Sequence, residues 1–163
     1  MWPVSPTASI SPCCLAELAY VVERANALNK AGAAWKGMAI LVRYNRQGER
    51  FAQALGRAGI PNDHLGAKQM QEQLAKDSVK VLSMHASKGL EFPVVFLPCL
   101  DSMPDAREEI AAEAKLLYIA MTRAMERLHL THHAGSVFVD RLRAVMHGTR
   151  SLQYFCIAAK LLP

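Results

Sequence analysis

The sequence predicts an α/β fold, a mostly parallel sheet covered by helices on both faces. Three short, continuous apolar runs, Met38 to Val42, Val79 to Ser83 and Val94 to Leu97, read as strands buried on both sides. Segments with apolar residues at helical spacing separate and flank them. Strands that alternate with helices build crossover units rather than hairpins.

The first element is a helix, because Leu15, Leu18, Ala19, Val22, Ala25 and Leu28 recur at helical spacing. Ser11-Pro12 supplies its N-cap and first-turn proline, and Gly32 its stop. After the first strand, Phe51, Ala52, Leu55 and Ala58 mark an amphipathic helix ended by Gly59 and Pro61. Gly66 to Asp77 is polar and reads as a short helix. Pro93 sits at the start of the third strand, where a missing N–H costs least, and Asp101 to Asp105 form the loop at its end. A helix then spans Arg107 to Thr122, with Ile110, Ala114, Leu117, Tyr118 and Met121 on its apolar face, so Tyr118 is expected in the core. Arg127 to Thr131 is a strand and Val137 to Val145 a last helix. Residues 1–14 read as a poorly defined leader, 15–146 as the folded domain, and 147–163 as a C-terminal tail or short helix.

With 163 residues, 52% of them hydrophobic and 20% charged, the chain suits one domain with a sizeable core. No apolar run approaches the roughly 18 residues of a membrane span, and the N-terminus lacks the basic and apolar regions of a secretory signal. Cys13, Cys14, Cys99 and Cys156 form no CxxC pattern, so reduced thiols in the cytoplasm are expected. The His132-His133 pair has no other metal ligands at useful spacing, and no metal site is expected. The net charge of +5 is uneven: Lys36, Arg43, Arg46, Arg50, Arg57, Lys68, Lys76, Lys80 and Lys88 face only Glu49, Asp63, Glu72 and Asp77 in the same stretch. A basic segment of this kind favours a polyanionic partner, although solvated helix faces carry such charges too.

The densest chemistry lies in His85-Ala-Ser-Lys-Gly-Leu-Glu-Phe and, thirty residues on, Leu117-Tyr-Ile-Ala-Met-Thr-Arg-Ala. The first follows a strand, so its polar donors gather at that strand's carboxyl end, where open α/β sheets bind ligands. Arg123, closing the later helix, is expected beside the same edge. A fixed cation there suits an anionic ligand such as phosphate.

These segments resemble the second RecA-like motor domain of UvrD/Rep-type superfamily 1 helicases, a three-layer domain, over Trp35 to Val145. Leu41-Val-Arg-Tyr-Asn-Arg-Gln is similar to motif IV of that family, Val81 through Val95 to motif V, and Leu117 through Ala124 to motif VI. The resemblance implies a γ-phosphate arginine finger at Arg123 and a second at Arg43. It implies nucleotide ribose contacts at Glu91, with Gly89 shaping the loop beside it. Ser83, His85 and Lys88 become contacts to single-stranded DNA. The cofactor implied is ATP with magnesium, in a composite site that a first RecA-like motor domain completes in cis or in trans. No GxxxxGK[ST] phosphate loop and no Asp-Glu magnesium motif occur in the sequence, so the chain alone is expected to be inactive. Three positions depart from the family pattern: Ser83 stands for a usual Thr, Glu49 where Arg is frequent, and Ala114-Lys115 where an arginine pair precedes motif VI. The family's large accessory insertion before motif V is also missing.

Blander readings stand beside each assignment. Arg43 and Arg123 also fit strand-end cations, Glu91 an ion-pair carboxylate, His85 a core histidine bonded to a loop carbonyl, and Lys88 a purely structural loop residue. At the level of function the alternative is a non-enzymatic nucleic-acid or protein binding module derived from a helicase.

Overall fold

The computed structural model describes residues 12–65, 70–145 and 154–158. Its strands form one sheet in the order β2-β3-β1-β4-β5-β6, with β1 at Met38–Val42, β2 at Asn62–His64, β3 at Val79–Ser83, β4 at Phe92–Leu97, β5 at Ala124–Thr131 and β6 at Tyr154–Ala158. The first five are parallel and β6 runs antiparallel to β5. Among the described residues no helix is long and apolar enough to cross a membrane.

Central strand β1 is buried along its whole length, and its alternation builds both halves of the core. Met38, Ile40 and Val42 face a layer made by α1 (Pro12–Lys30) and α2 (Asn45–Arg57), where Val21, Ala25, Leu28, Phe51 and Leu55 are buried. Ala39 and Leu41 face the other layer, made by α4 (Ile110–Met121) and α5 (Val137–Val145), with Leu117, Ala120, Phe138 and Val139 inside. Each of the larger side chains among them contributes about 1.5–3 kcal/mol by leaving water. The predicted three-layer arrangement is the observed one. Gly32 ends α1 as expected: its φ of 101° is open to glycine at little cost, and Ala33 N–H reaches back to Leu28 O at 3.0 Å.

Four elements differ from expectation. Strand β2 has no apolar signature, being Asn-Asp-His; it exists because it pairs with the outer edge of β3, Asp63 beside Lys80. There Lys80 is fully buried, and its ammonium donates to the carbonyls of Gln73 and Lys76 and to Ser78 Oγ and pairs with Asp63 at 3.3 Å. Complete pairing is what makes a buried ammonium tolerable. The Ser78 hydroxyl and then Lys80 hold the Asp63 carboxyl below its usual range. In the expected short-helix stretch only Met70–Leu74 (α3) is helical among the described residues.

Helix α4 starts at Ile110, three residues after the expected Arg107, and turns a different face inward. Glu113, Leu117 and Ala120 are buried, whereas Ile110 and Tyr118 are 56% and 63% exposed. Tyr118 is therefore not a core residue. Nearly every position of this helix is apolar, so periodicity could not select the face, and Glu113 goes inside because it has partners there. Finally, Tyr154–Ala158 forms a strand rather than a short helix. The free edge of β5 offers unpaired N–H and C=O groups, and a run of aromatic and β-branched residues suits that pairing. Residues 147–153 and 159–163 lie outside the described residues, as does the proposed cap Ser11.

Candidate nucleotide and nucleic-acid sites on opposite sheet edges

Strand direction decides where each candidate residue lies. Arg43 and Ser83 follow or end β1 and β3, at the carboxyl edge of the sheet. Helix α4 returns antiparallel to the strands, so its own carboxyl end, with Thr122 and Arg123, arrives at the amino edge, just before β5. Five strand residues span about 16 Å at roughly 3.3 Å each. Arg123 is thus not beside the edge that carries Ser83 and Arg43, contrary to the sequence expectation.

The segment Met84–Glu91 joins the two edges. It leaves β3 at the carboxyl edge and enters β4 at the amino edge as a run of turns, passing over β1, with Met84 buried and Ala86 and Leu90 packed against the core on the α4 side. Short polar groups hold its start: Ser83 Oγ accepts Ala86 N–H at 3.2 Å, and the buried Ser87 hydroxyl donates to Met84 O at 2.6 Å. Ser87 was not singled out from sequence, although Ser and Thr hydroxyls commonly cap such turns. His85 and Lys88 are exposed, so His85 is not a core histidine. Gly89 takes φ of 82°, and nothing lies within 4 Å of where a Cβ would stand. The residue serves backbone conformation rather than close approach.

At the amino edge Arg123 is partly buried and bonded on three sides. Its Nε donates to Ile119 O at 3.1 Å, Nη1 to Leu90 O at 3.2 Å and Nη2 to Thr122 Oγ1 at 3.2 Å. Phe92 N–H donates to Arg123 O at 2.9 Å. Of the five guanidinium N–H donors two remain beyond these bonds, enough for an anion's oxygens. Glu91, adjoining Leu90 in sequence, is exposed.

Arg43 sits in different surroundings. Its guanidinium forks onto Glu113, Nη2 at 2.9 Å and Nε at 3.1 Å from each oxygen, with only 12% and 3% of the two side chains exposed. Asp105 N–H donates to Glu113 at 3.1 Å, and Tyr44 OH donates to Asp105 at 2.6 Å, its ring lying 5.0 Å under the Arg43 cation. The Glu113 bond fixes the Arg43 charge more firmly than usual. Arg107 and then Tyr44 hold the Asp105 carboxyl well below the carboxylate range, while burial and then Asp105 push the Tyr44 phenol up. Arg43 and Arg123 stand at opposite strand ends and are bonded to separate parts of the chain. Glu113, Asp105 and Tyr44 escaped sequence reading because their partners are 61 to 70 residues away. The basic segment is correspondingly weaker as a surface feature, with Lys80 and Arg43 both engaged inside.

The sheet order, the polar turn after β3 and the arginine that follows α4 are features that can be compared with known α/β domains. Residues 62–135 match the model of the UvrD-like helicase C-terminal domain family. The C-terminal domain of a possible DNA helicase from Lactobacillus plantarum superposes with a TM-score of 0.62 at 22% identity, over 81% of this chain and 76% of that one, so the fold is shared. The ATP-dependent DNA helicase PcrA of Bacillus subtilis is 40% identical over 77 residues, 43% of this chain and 10% of the relative. The ATP-dependent DNA helicase srs2 of Schizosaccharomyces pombe is 42% identical over 64 residues, 37% of this chain and 7% of the relative. The chain thus spans about a tenth of the length of these curated relatives.

Proposed function

We propose that this chain is the second motor half of an ATP-dependent DNA helicase and completes its nucleotide site only with a first motor domain. The observation that carries the reading is the bond from Arg123 to Leu90 O at 3.2 Å, which ties the end of α4 to the far end of the turn that begins at Ser83. A shift of Arg123 toward a phosphate is thereby transmitted along Met84–Glu91 to the opposite edge. Coupling between two sites needs such a contiguous element.

In this reading Arg123 turns its two remaining donors to the γ-phosphate, and Glu91 accepts ribose hydroxyls, with Gly89 shaping the backbone between. ATP with magnesium supplies the phosphoryl group to be hydrolysed, and the residues here fit the outer wall of its site, since they offer an arginine and a carboxylate but no phosphate loop. The first motor domain contributes that loop and the metal-holding carboxylates. The exposed apolar side of α4, Ile110, Ala114 and Tyr118, lies upstream of Arg123 on the same helix and is consistent with coverage by that partner. Ser83, His85 and Lys88 grip single-stranded DNA at the carboxyl edge through backbone phosphates, without reading bases. Arg43 is braced against α4 through Glu113, and its role as a second phosphate ligand rests on the motif IV resemblance.

The test is Arg123→Ala in the chain combined with its first motor domain. ATP hydrolysis should fall by roughly 10³-fold or more, with single-stranded DNA binding retained. Undiminished hydrolysis would sink the reading. A binding module without catalysis is favoured by one observation, the solvent-facing His85 and Lys88. It predicts salt-dependent binding of single-stranded DNA by the chain alone, lost in Lys88→Ala.

A further inference from the structure

Three side chains far apart in sequence converge beyond the carboxyl ends of β4 and β5: Glu17 from α1, Asp101 from the turn Leu100–Ser102, and His133 just after β5. His133 Nδ1 lies 2.8 Å from Glu17 Oε1, and Nε2 lies 3.2 Å from Asp101 Oδ2. The sequence around His132-His133 offers no further ligands, because the carboxylates reach His133 only on folding. His132 faces elsewhere, toward Ala134 O at 3.1 Å and Arg143 at 3.3 Å.

We propose that Glu17, Asp101 and His133 bind a divalent first-row cation such as zinc or manganese. Each residue presents one ligand atom, and the three atoms lie within 4.8 Å of one another. Ligands of one ion with bonds of about 2.0–2.2 Å stand about 3–4.2 Å apart, and only one imidazole nitrogen can face that ion, so binding requires the carboxylate on the other nitrogen to swing toward it. Both carboxylates are oriented through one oxygen and present the other to the imidazole. Glu17 Oε2 accepts Cys99 N–H at 2.8 Å and the Thr131 hydroxyl, while Asp101 Oδ1 accepts His133 N–H at 3.1 Å. That division between orienting and ligating atoms is the outer-shell arrangement around bound metals. Cys99 is itself held at φ of 58°, a left-handed conformation uncommon outside glycine, as its N–H turns onto Glu17.

Charge and access agree with the assignment. Glu17 is 2% exposed, and a divalent ion would balance the two carboxylates and leave no net charge in the cluster. Imidazole nitrogen with two carboxylate oxygens and no thiolate suits zinc or manganese rather than a soft ion. Asp101 and His133 line a cavity shared with Gln47, Arg50 and Ser102, which gives waters room to complete the coordination. The rival occupant is a proton on His133, which would make the cluster an ion-paired clamp only. The site shares no residue with the nucleotide or DNA assignments, so it stands or falls apart from them.

The test uses the full chain stripped of metal and titrated with Mn²⁺, followed by the electron paramagnetic resonance of free ion, and separately with Zn²⁺ by calorimetry. One equivalent of Mn²⁺ per chain is expected, with Asp101→Asn weakening it about tenfold or more and leaving circular dichroism unchanged. Saturating metal should also raise the thermal midpoint of the wild type. Should Asp101→Asn fail to fold, Mn²⁺ broadening of wild-type amide signals decides: broadening that begins at Cys99, Asp101 and His133 supports the site. Absent Mn²⁺ uptake, uptake equal in wild type and Asp101→Asn, or broadening centred elsewhere overturns the proposal and leaves the proton clamp.

Discussion

The two edges of the sheet carry arginines of opposite design. At the carboxyl edge Arg43 is forked onto Glu113 and backed by Asp105, Tyr44 and Arg107, so its charge is fully answered within the chain. At the amino edge Arg123 is bonded only to two carbonyls and a hydroxyl, so its position is fixed while its charge is unanswered by those contacts. A paired arginine stabilises the fold; a positioned cation bonded to neutral groups is available to an anion. Exposure alone would not separate the two, since both are partly buried, whereas the nature of the partner does.

That contrast can be broken or sharpened by substitution. The largest effect on stability should come from Glu113→Ala, which strands the Arg43 cation in a mostly buried setting and should cost about 3–5 kcal/mol, read from the denaturant midpoint. A loss below about 1 kcal/mol would put Arg43 in the same class as Arg123. Next, the sheet interior between the edges supplies an acid-sensitive reference. His129 is fully buried, stacked on Phe96 at 4.7 Å and bonded to Tyr20 OH at 3.0 Å; burial first, then Arg24 and Arg127, lower its pKa to about 4. The folded value lies below the unfolded one of about 6.5, so the unfolded chain binds the extra proton first. Stability should therefore fall as pH drops from about 6.5 and level off near 4, a loss on the order of a few kcal/mol. His129→Phe should flatten that limb of a stability–pH profile; an unchanged limb would assign it to other groups. The smallest effect belongs to Gly89→Ala, expected to cost about 1–2 kcal/mol through positive φ alone, because its Cβ meets no atom within 4 Å. If ATP hydrolysis by the chain joined to the proposed first motor domain fell with it much more than stability did, the turn would be shown to connect the two edges.

Much of the fold was legible in the sequence, and the reason is local. Met38–Val42 and Val79–Ser83 appear with the bounds read from their apolar runs, and Val137–Val145 from its helical pattern. Asn62–His64 was invisible, because a polar edge strand is specified by the neighbour it pairs with. The α4 face was unreadable for the opposite reason, an excess of apolar positions. At the site the residue types around His85 and Arg123 were plain. Their separation onto two edges was not, since it follows from strand direction combined with a helix that runs back. The pairing of Glu113 with Arg43, and the gathering of Glu17 and Asp101 round His133, depend on contacts across 32 to 116 residues and leave no local trace.

The Lys80 ammonium joins β3 to carbonyls at Gln73 and Lys76 and to the carboxylate of Asp63, so three separate stretches of chain meet on one nitrogen with no solvent access. Amine-reactive chemistry can reach Lys36, Lys76, Lys88 and Lys115 on the native surface. Lys80 becomes reactive only when the Gln73–Lys76 stretch or β2 moves off β3, which makes it an internal reporter of opening at that edge.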